Sequence, residues 1–541
     1  MAFGRIGAYV SRHGLRWTLR RGAQKAAERY LRTYERKARQ LAPTEKELRE
    51  QRAHQPDAGL VSVIVPVFNT RPELLEALAQ SLVAQTYERW EACLYDGGSP
   101  NPLTREALLS LARRDARIRV TLGDSNDGIS GNSNHALAMA KGRYIVLCDH
   151  DDLLTPDALW QVARTAAETG AELIYSDEDR ISEDGARLTD PHMKPGFCPD
   201  NLRSGNYICH LMAVKRTLMD EVGAFRPGFD GSQDHDLALR CAERAGSIAH
   251  IARVLYHWRM VGGSMSRKRL SQCQEAGCRA VEEHMRRIGW SGSAVMESGV
   301  IRLRYALKRP MTLRALVLSR REGDERACIS ALRRAGLADT SITVLYAKRD
   351  RWQARVNRAA AEAEEDALLI IRASALAQGA DFLTEMLMYA QRGDVGMVTP
   401  VALRRGSIVS AGYALMRDGR VLHRSAGTAL ASGGWHAIER TSHNVAAVSS
   451  ICLMVRRDHY LPLEENGSAE TALVQSCIAM SRGGLVHVYT PHAAVQYRGR
   501  PPETPGLCTP VTDGCMSEWH LRGKRADYRV CVKEDRSRAA D

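Results

Sequence analysis

The sequence predicts an α/β fold with a mostly parallel sheet flanked by helices, present in two tandem copies behind a basic helical N-terminal arm. Three observations predict it. Short β-branched runs alternate with amphipathic helical stretches between Val61 and Gly170. The same order of elements restarts beyond residue 311. Polar clusters fall where strands end. Alternation of this kind implies parallel strands joined by right-handed crossovers, and 541 residues are too many for one core.

Residues 1–58 are charged and helical in pattern and end in a polar loop before Gly59. Val61–Val65 is a buried strand closed by Pro66. Pro72–Gln85 carries Leu74, Leu75, Leu78 and Leu82 at helical spacing. Trp90–Tyr95 is a second strand, ending in Asp96-Gly97-Gly98-Ser99-Pro100. Leu103–Arg113 is a helix and Ile118–Val120 a third strand. The Gly/Asn-rich loop Asn126–Gly131 leads to a helix at Ser133–Ala140. Tyr144–Cys148 is a fourth strand, followed by Asp149-His150-Asp151-Asp152. Thr155 and Pro156 provide an N-cap and first-turn proline for the next helix, which Gly170 ends. Ligands in such sheets bind beyond the carboxyl ends of the strands. Pro66–Asn69, Asp96–Ser99 and Asp149–Asp152 therefore converge on one rim.

In the second copy, Thr312–Leu318, Ile342–Tyr346 and Ala367–Ile371 are strands. Glu325–Ala335 and Arg355–Glu364 are helices between them, the mark of an internal duplication. The division expected is an arm at 1–58, one α/β domain at 59–290, a second at 311–500, and a flexible tail at 501–541.

Residues 1–40 hold eleven Lys or Arg against Glu28 and Glu35, which is nine of the thirteen net positive charges. The charge belongs to an arm, not to the whole protein. Three readings of the arm stand: a helix on an anionic membrane surface, a solvated helix against the next domain, or an Arg-rich presequence. No nucleic-acid module accompanies the charge, so nucleic acid is not an expected partner. No run of eighteen apolar residues and no apolar signal core occur. The 13 Cys form no C-x-x-C pair, and Cys93, Cys148 and Cys452 lie in apolar runs. A reducing, cytoplasmic setting is expected, with the cytoplasmic membrane face as the site of docking if the arm binds lipid.

Asp149-x-Asp151 at a strand end offers hard oxygen ligands for Mg²⁺ or Mn²⁺; acids there also serve as loop caps. Asp234 and Asp236 open a helix, where one carboxylate could accept a proton from an attacking hydroxyl or both could favour the helix N-terminus. His257, in Tyr256-His257-Trp258-Arg259, is a third metal ligand or a packed core residue. Arg259 contacts a diphosphate or braces a loop.

The combination is more specific than its parts. VSVIVPVFNT, LYDGGSP, NDGISGNSNHALAMAKGRYIVLCDHDDLLTPDAL, YSDEDRI, GFDGSQDHDLALR and LYHWR followed by GGSMS occur in that order between Val61 and Arg267. This stretch resembles the family 2 glycosyltransferases, inverting enzymes of the GT-A fold, and is most similar to those of bacterial O-antigen and surface-polysaccharide assembly. The resemblance implies transfer of a hexosyl or deoxyhexosyl group from a nucleotide-diphospho-sugar, with a UDP- or dTDP-sugar as donor. It implies a saccharide or lipid-linked saccharide acceptor and a divalent cation, Mn²⁺ or Mg²⁺. Pro66, Phe68 and Asn69 lie where the first strand meets the base, with Phe68 in place of the usual Tyr. Asp96 matches the acid that binds the base, and Gly97 stands where a second acid often follows. Asn134 lies in the helix entering the Asp149 strand. Asp149 matches the acid near ribose, Asp151 the metal and diphosphate ligand, His257 a residue completing the metal site, and Asp234 the catalytic base. Gln233 replaces the usual preceding Glu. Asp177 and Asp179 match an acidic strand end without an assigned role.

The second copy resembles a tandem domain of the same family that has lost its chemistry. Arg372-Ala373-Ser374 replaces the acidic pair, Glu470 is the acid left near the base position, and Gln496 stands for the His. It is expected to be inactive. Two other functions compete. A nucleotidyltransferase or metal phosphohydrolase would also use Asp149 and Asp151, but has no need of Asp234 and His257 at these spacings. A non-catalytic glycan-binding or scaffold protein of an assembly complex is the alternative outside catalysis.

Overall fold

The computed structural model describes residues 34–261, 270–347, 351–432, 435–506 and 513–517. Most of the basic arm, the GGSMS motif and most of residues 501–541 lie outside the described residues. The chain forms two compact units.

The first unit is drawn from the segments Met1–His192, His210–Thr217 and Arg253–Lys268. Its sheet comprises β1 (Val61–Val67), β2 (Trp90–Asp96), β3 (Ile118–Leu122), β4 (Tyr144–Leu147), β5 (Leu153–Leu154), β6 (Leu173–Ser182), β7 (Leu188–His192), β8 (Met212–Lys215) and β9 (Ile248–Met260, whose last eight residues belong here). The order is β3-β2-β1-β4-β8-β6-β9-β5, with β7 on β6. The β1–β4 core is parallel, and β8 runs antiparallel between β4 and β6. The continuous Val/Ile run of β1 is buried along nearly its whole length, as expected of a strand covered on both faces. The helix Pro72–Val83 buries Leu74, Leu75, Leu78, Ala79 and Leu82 on one stripe. Truncating one such Leu to Ala costs about 2–5 kcal/mol.

Several elements differ from the sequence expectation for identifiable reasons. Pro66 does not close β1 but lies inside it, opposite Tyr95. Odd-numbered residues of β1 bond towards β2, as Val61 N to Arg89 O and Gly97 N to Val67 O show. Pro66 therefore faces the β4 side, where pairing has already stopped at Ile64–Leu147, and its missing N–H removes no ladder bond. The helix expected from Ser133 starts at Gly128. Asn126 Oδ1 accepts from Gly128 N at 3.0 Å and so ties down its entry. The helix expected to start at Pro156 runs from Ala158 to Thr169, with Asp157 at its N-cap position. Thr155 Oγ1 donates to Asp157 at 2.9 Å instead of capping. Gly170 ends that helix in the left-handed conformation at φ 67°, as its sequence position implies. Ahead of β1, the helix Glu45–Ala53 begins in a Thr44–Glu47 capping box.

The second unit takes in Met193–Cys209, Leu218–Ala252 and Arg269–Asp541. It holds the helices Pro199–Ser204, Gln233–Arg244 and Leu270–Arg287, and a hairpin of β10 (Gly292–Glu297) and β11 (Val300–Tyr305). Next come β12 (Leu313–Ser319), β13 (Ile342–Tyr346), β14 (Ala367–Arg372), β15 (Ala375–Gln378), β16 (Val395–Arg404) and β17 (Ser407–Ser410). The ribbon β18 (Tyr413–Leu415) and β19 (Val421–His423) precedes β20 (His443–Val445), β21 (Cys452–Arg456) and β22 (Val486–Tyr497). The sheet order is β13-β12-β14-β21-β16-β22-β15. Strand for strand this repeats β2-β1-β4-β8-β6-β9-β5 of the first unit, so the duplication seen in the sequence is a duplication of topology. The helix expected at Arg355–Glu364 runs two residues earlier, Gln353–Glu362. Within the tail, Met516 packs on Ala414 and Met416, and buried Asp513 accepts from Leu415 N at 2.9 Å.

Among the described residues no helix is long and apolar enough to cross a membrane. Cys93, Cys148 and Cys452 are buried thiols, and burial pushes the Cys93 thiol up to about 12.

Candidate active site

The carboxyl ends of β1, β2 and β4 bring the three polar clusters of the first unit to one rim. After β1, Asn69 adopts φ 51°, a left-handed conformation that Asn tolerates. Its N–H donates to Ser99 Oγ at 2.7 Å. Ser99 Oγ in turn donates to Asp96, and Ser99 N donates to the same carboxylate at 3.2 Å. Asp96 is fully buried and so ties the β1 and β2 loops together. Pro66 is half-buried at the end of β1, while Phe68 remains 41% exposed beside this loop, an unusual place for a large apolar ring. Position 97, where the resembled family often carries a second acid, is crowded here. A Cβ on Gly97 would sit 2.3 Å from Asn132 Nδ2, so the Asn132 amide occupies that space. Asn134, on the same helix, is half-buried.

After β4, Asp149 and Asp151 keep partly exposed side chains, at 39% and 23%. Asp152 is fully buried, taking Tyr256 Oη–H at 2.6 Å and Arg259 N–H at 2.7 Å. Burial and the Asp149 and Asp151 charges push its carboxyl well above the usual range. Arg259 braces the loop: its Nε donates to Asp151 O at 2.7 Å and its Nη1 to Glu183 O at 2.9 Å.

His257, on β9, places Nδ1 2.5 Å from Asp179 Oδ1. Donation from Nδ1 to the carboxylate leaves Nε2 as the ring's ligand atom. The other Asp179 oxygen accepts from Tyr34 Oη at 2.7 Å, so a residue of the 1–58 segment reaches this dyad. A second group is gathered nearby: Asp149, Asp152 and His210 offer ligand atoms within 4.8 Å of one another, with His210 Nε2 3.8 Å from Asp149 Oδ2. Carboxylate oxygens with imidazole nitrogen form a donor set suited to a divalent cation.

Asp234 lies in the second unit, second residue of the helix Gln233–Arg244. Its Oδ2 accepts from Asn206 Nδ2 at 2.8 Å and its Oδ1 from His235 N at 2.9 Å. It is half-buried, whereas Asp236 is completely buried between Arg226 and Arg240. Burial works against Asp236 ionising, but the two guanidiniums hold its pKa below the usual value. Of the two acids, Asp234 is the more exposed. Gln233 Oε1 accepts from Gly231 N at 2.7 Å and holds the turn before the helix.

Residues 62–223 match the sequence profile described as "Glycosyl transferase family 2". A putative teichuronic acid biosynthesis glycosyltransferase of Bacillus subtilis is 31% identical over 211 residues, 38% of this chain and 81% of the relative. The chain belongs to glycosyltransferase family 2. An uncharacterized protein of Sinorhizobium fredii is 33% identical over 81% of this chain. An O-antigen biosynthesis protein of Myxococcus xanthus is 29% identical over 74% of it. The chain spans 53% and 34% of those two proteins.

The shared strand order relates positions of the second copy to those of the first. His257 pairs with Leu153 across β9 and β5, and Gln496 pairs with Leu376 across β22 and β15. The two positions are equivalent. Arg372 ends β14 as the Asp149 loop ends β4, and Glu470 is second in its helix as Asp234 is in its own. In the second copy these positions close on each other. Arg372 Nη2 donates to Glu470 Oε1 at 3.0 Å, Tyr413 Oη donates to Oε2 at 2.7 Å, and Ser450 Oγ donates to the same carboxylate. A guanidinium fills the place where the first copy holds acids.

Asp152, His210, Tyr256 and Tyr34 were not singled out from the sequence. Asp152 stood in the Asp149-His150-Asp151-Asp152 run, and only burial separates it from its neighbours. His210 and Tyr34 are remote in sequence from every motif.

Proposed function

We propose that the first copy transfers a sugar, with inversion, from a nucleoside-diphospho-sugar to a saccharide or lipid-linked saccharide acceptor in bacterial surface-polysaccharide assembly. The reading places catalysis within residues 59–290 and leaves 311–500 without transferase activity. Phe68 stacks on the base beside Pro66 and Asn69, with Asp96 ordering the loop and Asn134 at the donor side. Asp149 and Asp151, with His257 or His210, hold a divalent cation. Bound there, the cation supplies neutralisation of the diphosphate charge. Asp234 accepts the acceptor hydroxyl's proton as that oxygen attacks the anomeric carbon; the anomeric C–O bond to the diphosphate breaks, its electron pair leaves with the nucleoside diphosphate, and positive charge develops on the sugar ring on the way.

The observation that carries the reading is the contrast between Asp234 and Asp236. Two Arg side chains neutralise one acid, while the other accepts from Asn206 Nδ2, His235 N and, at 3.9 Å, Cys209 Sγ and keeps partial exposure. The names of the Myxococcus and Bacillus relatives support the polysaccharide context.

The test is release of nucleoside diphosphate from a panel of UDP-, dTDP- and GDP-sugars with Mn²⁺ or Mg²⁺ and saccharide acceptors. Metal-dependent turnover of one donor, lost in Asp151→Ala and in Asp234→Asn, is expected. Full turnover in folded Asp234→Asn refutes the base assignment. Cellular function unchanged by Asp151→Ala would favour a scaffold.

A further inference from the structure

The helix Pro199–Ser204 carries polar contacts on two sides, all within the second unit. One side faces the helix that bears Asp234. Leu202 O accepts from His235 Nε2 at 2.7 Å, and Asn206, just past the helix, donates to Asp234 at 2.8 Å. The other side faces the degenerate copy. Asn444, on β20, takes Asp200 N–H on its Oδ1 at 3.0 Å and donates Nδ2 to Asp200 Oδ2 at 2.8 Å. Its own N–H donates to Asn201 Oδ1 at 2.9 Å, and Ser204 Oγ donates to Ser442 O at 2.6 Å. Arg392, next to the helix Phe382–Ala390, forks onto both Asp200 oxygens, with Nη2–Oδ2 at 3.2 Å.

A second path reaches the same helix. Arg203 Nη1 donates to Asp200 at 3.1 Å and its Nε to His284 Nε2 at 3.1 Å. His284 Nδ1 then donates to Glu243 Oε1 at 2.6 Å, near the other end of the Asp234 helix. For Nε2 to accept and Nδ1 to donate, His284 is neutral; burial lowers its pKa in keeping with that.

Arg392 and Asp200 are 1% and 2% exposed. A buried ion pair is no more stabilising than a well-packed apolar pair of the same volume. What it adds is one permitted geometry, because a fork on a carboxylate fixes both distance and plane.

We propose that the degenerate copy is the footing of the catalytic base: Arg392 and Asn444 clamp Asp200, and the helix they hold positions Asp234 through Asn206 and Leu202. This rests on the assignment of Asp234 made above. Arg392, Asn444 and Asp200 are positioning residues and touch no substrate. The second copy is retained for placement, which explains a framework kept intact around a site filled by Arg372 and Glu470.

The test uses the full chain with Asn444→Ala, Arg392→Met and Arg392→Lys. In folded Asn444→Ala, kcat for transfer falls by about 10²-fold, the scale of a misplacement near 1 Å, while donor KM stays within about twofold. The acidic limb of the kcat–pH profile moves, and Arg392→Lys recovers part of the activity lost in Arg392→Met. Independently of any donor, hydrogen exchange of residues 199–206 and 233–236 quickens in Asn444→Ala, while β1–β4 keep their protection. Exchange identical to wild type overturns the proposal. If Asp234→Asn is inactive but folded Asn444→Ala has wild-type kcat, the base assignment stands and the footing is refuted. If Asp234→Asn keeps full transfer, both fall.

Discussion

Replacing Arg372 with Met tests the closed site of the second copy. Arg372 and Glu470 are 10% and 5% exposed. Arg372 Nη2 reaches Glu470 at 3.0 Å and Ser450 Oγ at 2.7 Å. Methionine fills most of the volume but leaves a buried carboxylate with only Tyr413 and Ser450 as donors. Removing one partner of a buried pair costs about 3–5 kcal/mol. The two remaining donors place this case near the lower end, about 3 kcal/mol. Arg372→Met with Glu470→Gln removes the stranded charge and is expected to return within about 1 kcal/mol of wild type. Urea unfolding followed by tryptophan fluorescence reads this, since Trp352 lies in the same core as Tyr413 and Leu473. Under conditions where each variant is fully folded, transfer per molecule is unchanged. A loss of less than about 1 kcal/mol in Arg372→Met refutes the energetic argument. Loss of transfer in Glu470→Gln at wild-type stability refutes the inactivity of the second copy.

Three further outcomes are expected. Burial lowers the pKa of His487 to about 4, and its Nε2 contacts Cys477 O at 2.9 Å. The folded state therefore keeps it neutral, so its contribution is intact above the unfolded value of about 6.5 and is lost as pH falls towards about 4, a span of about 3 kcal/mol. His487→Gln should flatten stability across that window, and an unchanged slope would rule His487 out. Asp179→Ala frees the His257 ring, so the metal concentration for half-maximal transfer should rise about 10–100-fold; no change would favour the Asp149–Asp152–His210 group. Gly97→Asp drives a side chain into Asn132, 2.3 Å from the new Cβ, and should raise donor KM. Asn132→Ala should relieve it, and a Gly97→Asp variant with wild-type KM would contradict the steric account.

The leading strands and helices of each copy were legible in the sequence because each of these buried elements carries its own pattern, whereas most of the strands that follow, among β5–β9 and β15–β22, depend on partners brought in from a distance. The Leu spacing of Pro72–Val83 and the Val/Ile run of β1 each specify an element without reference to a partner. Boundaries were legible only where a local rule ends the element, as Gly170 does. At Pro66 the strand runs on because β2 still pairs with it after β4 has stopped, and the starts at Gly128 and Ala158 follow from side-chain bonds, Asn126 Oδ1 to Gly128 N and Thr155 Oγ1 to Asp157.

The candidate site divides along the same line. Asp149, Asp151, Asp234 and His257 stand in motifs, and the sequence alone determines that these groups are present and that the second copy lacks them. Burial and the partners met on burial separate Asp152 from Asp151, and Asp236 from Asp234, and both are properties of the packed chain. The partners Tyr34–Asp179, Asn206–Asp234, Arg372–Glu470 and Asp200–Arg392 are 145, 28, 98 and 192 residues apart. Local composition carries no information about such pairs. The candidate groups are legible in short motifs because Asp149 and Asp151 follow a strand and Asp234 opens a helix, positions that local pattern marks. Which of those groups are fixed and which stay available was decided by tertiary structure, because desolvation and charge pairing exist only once distant segments meet.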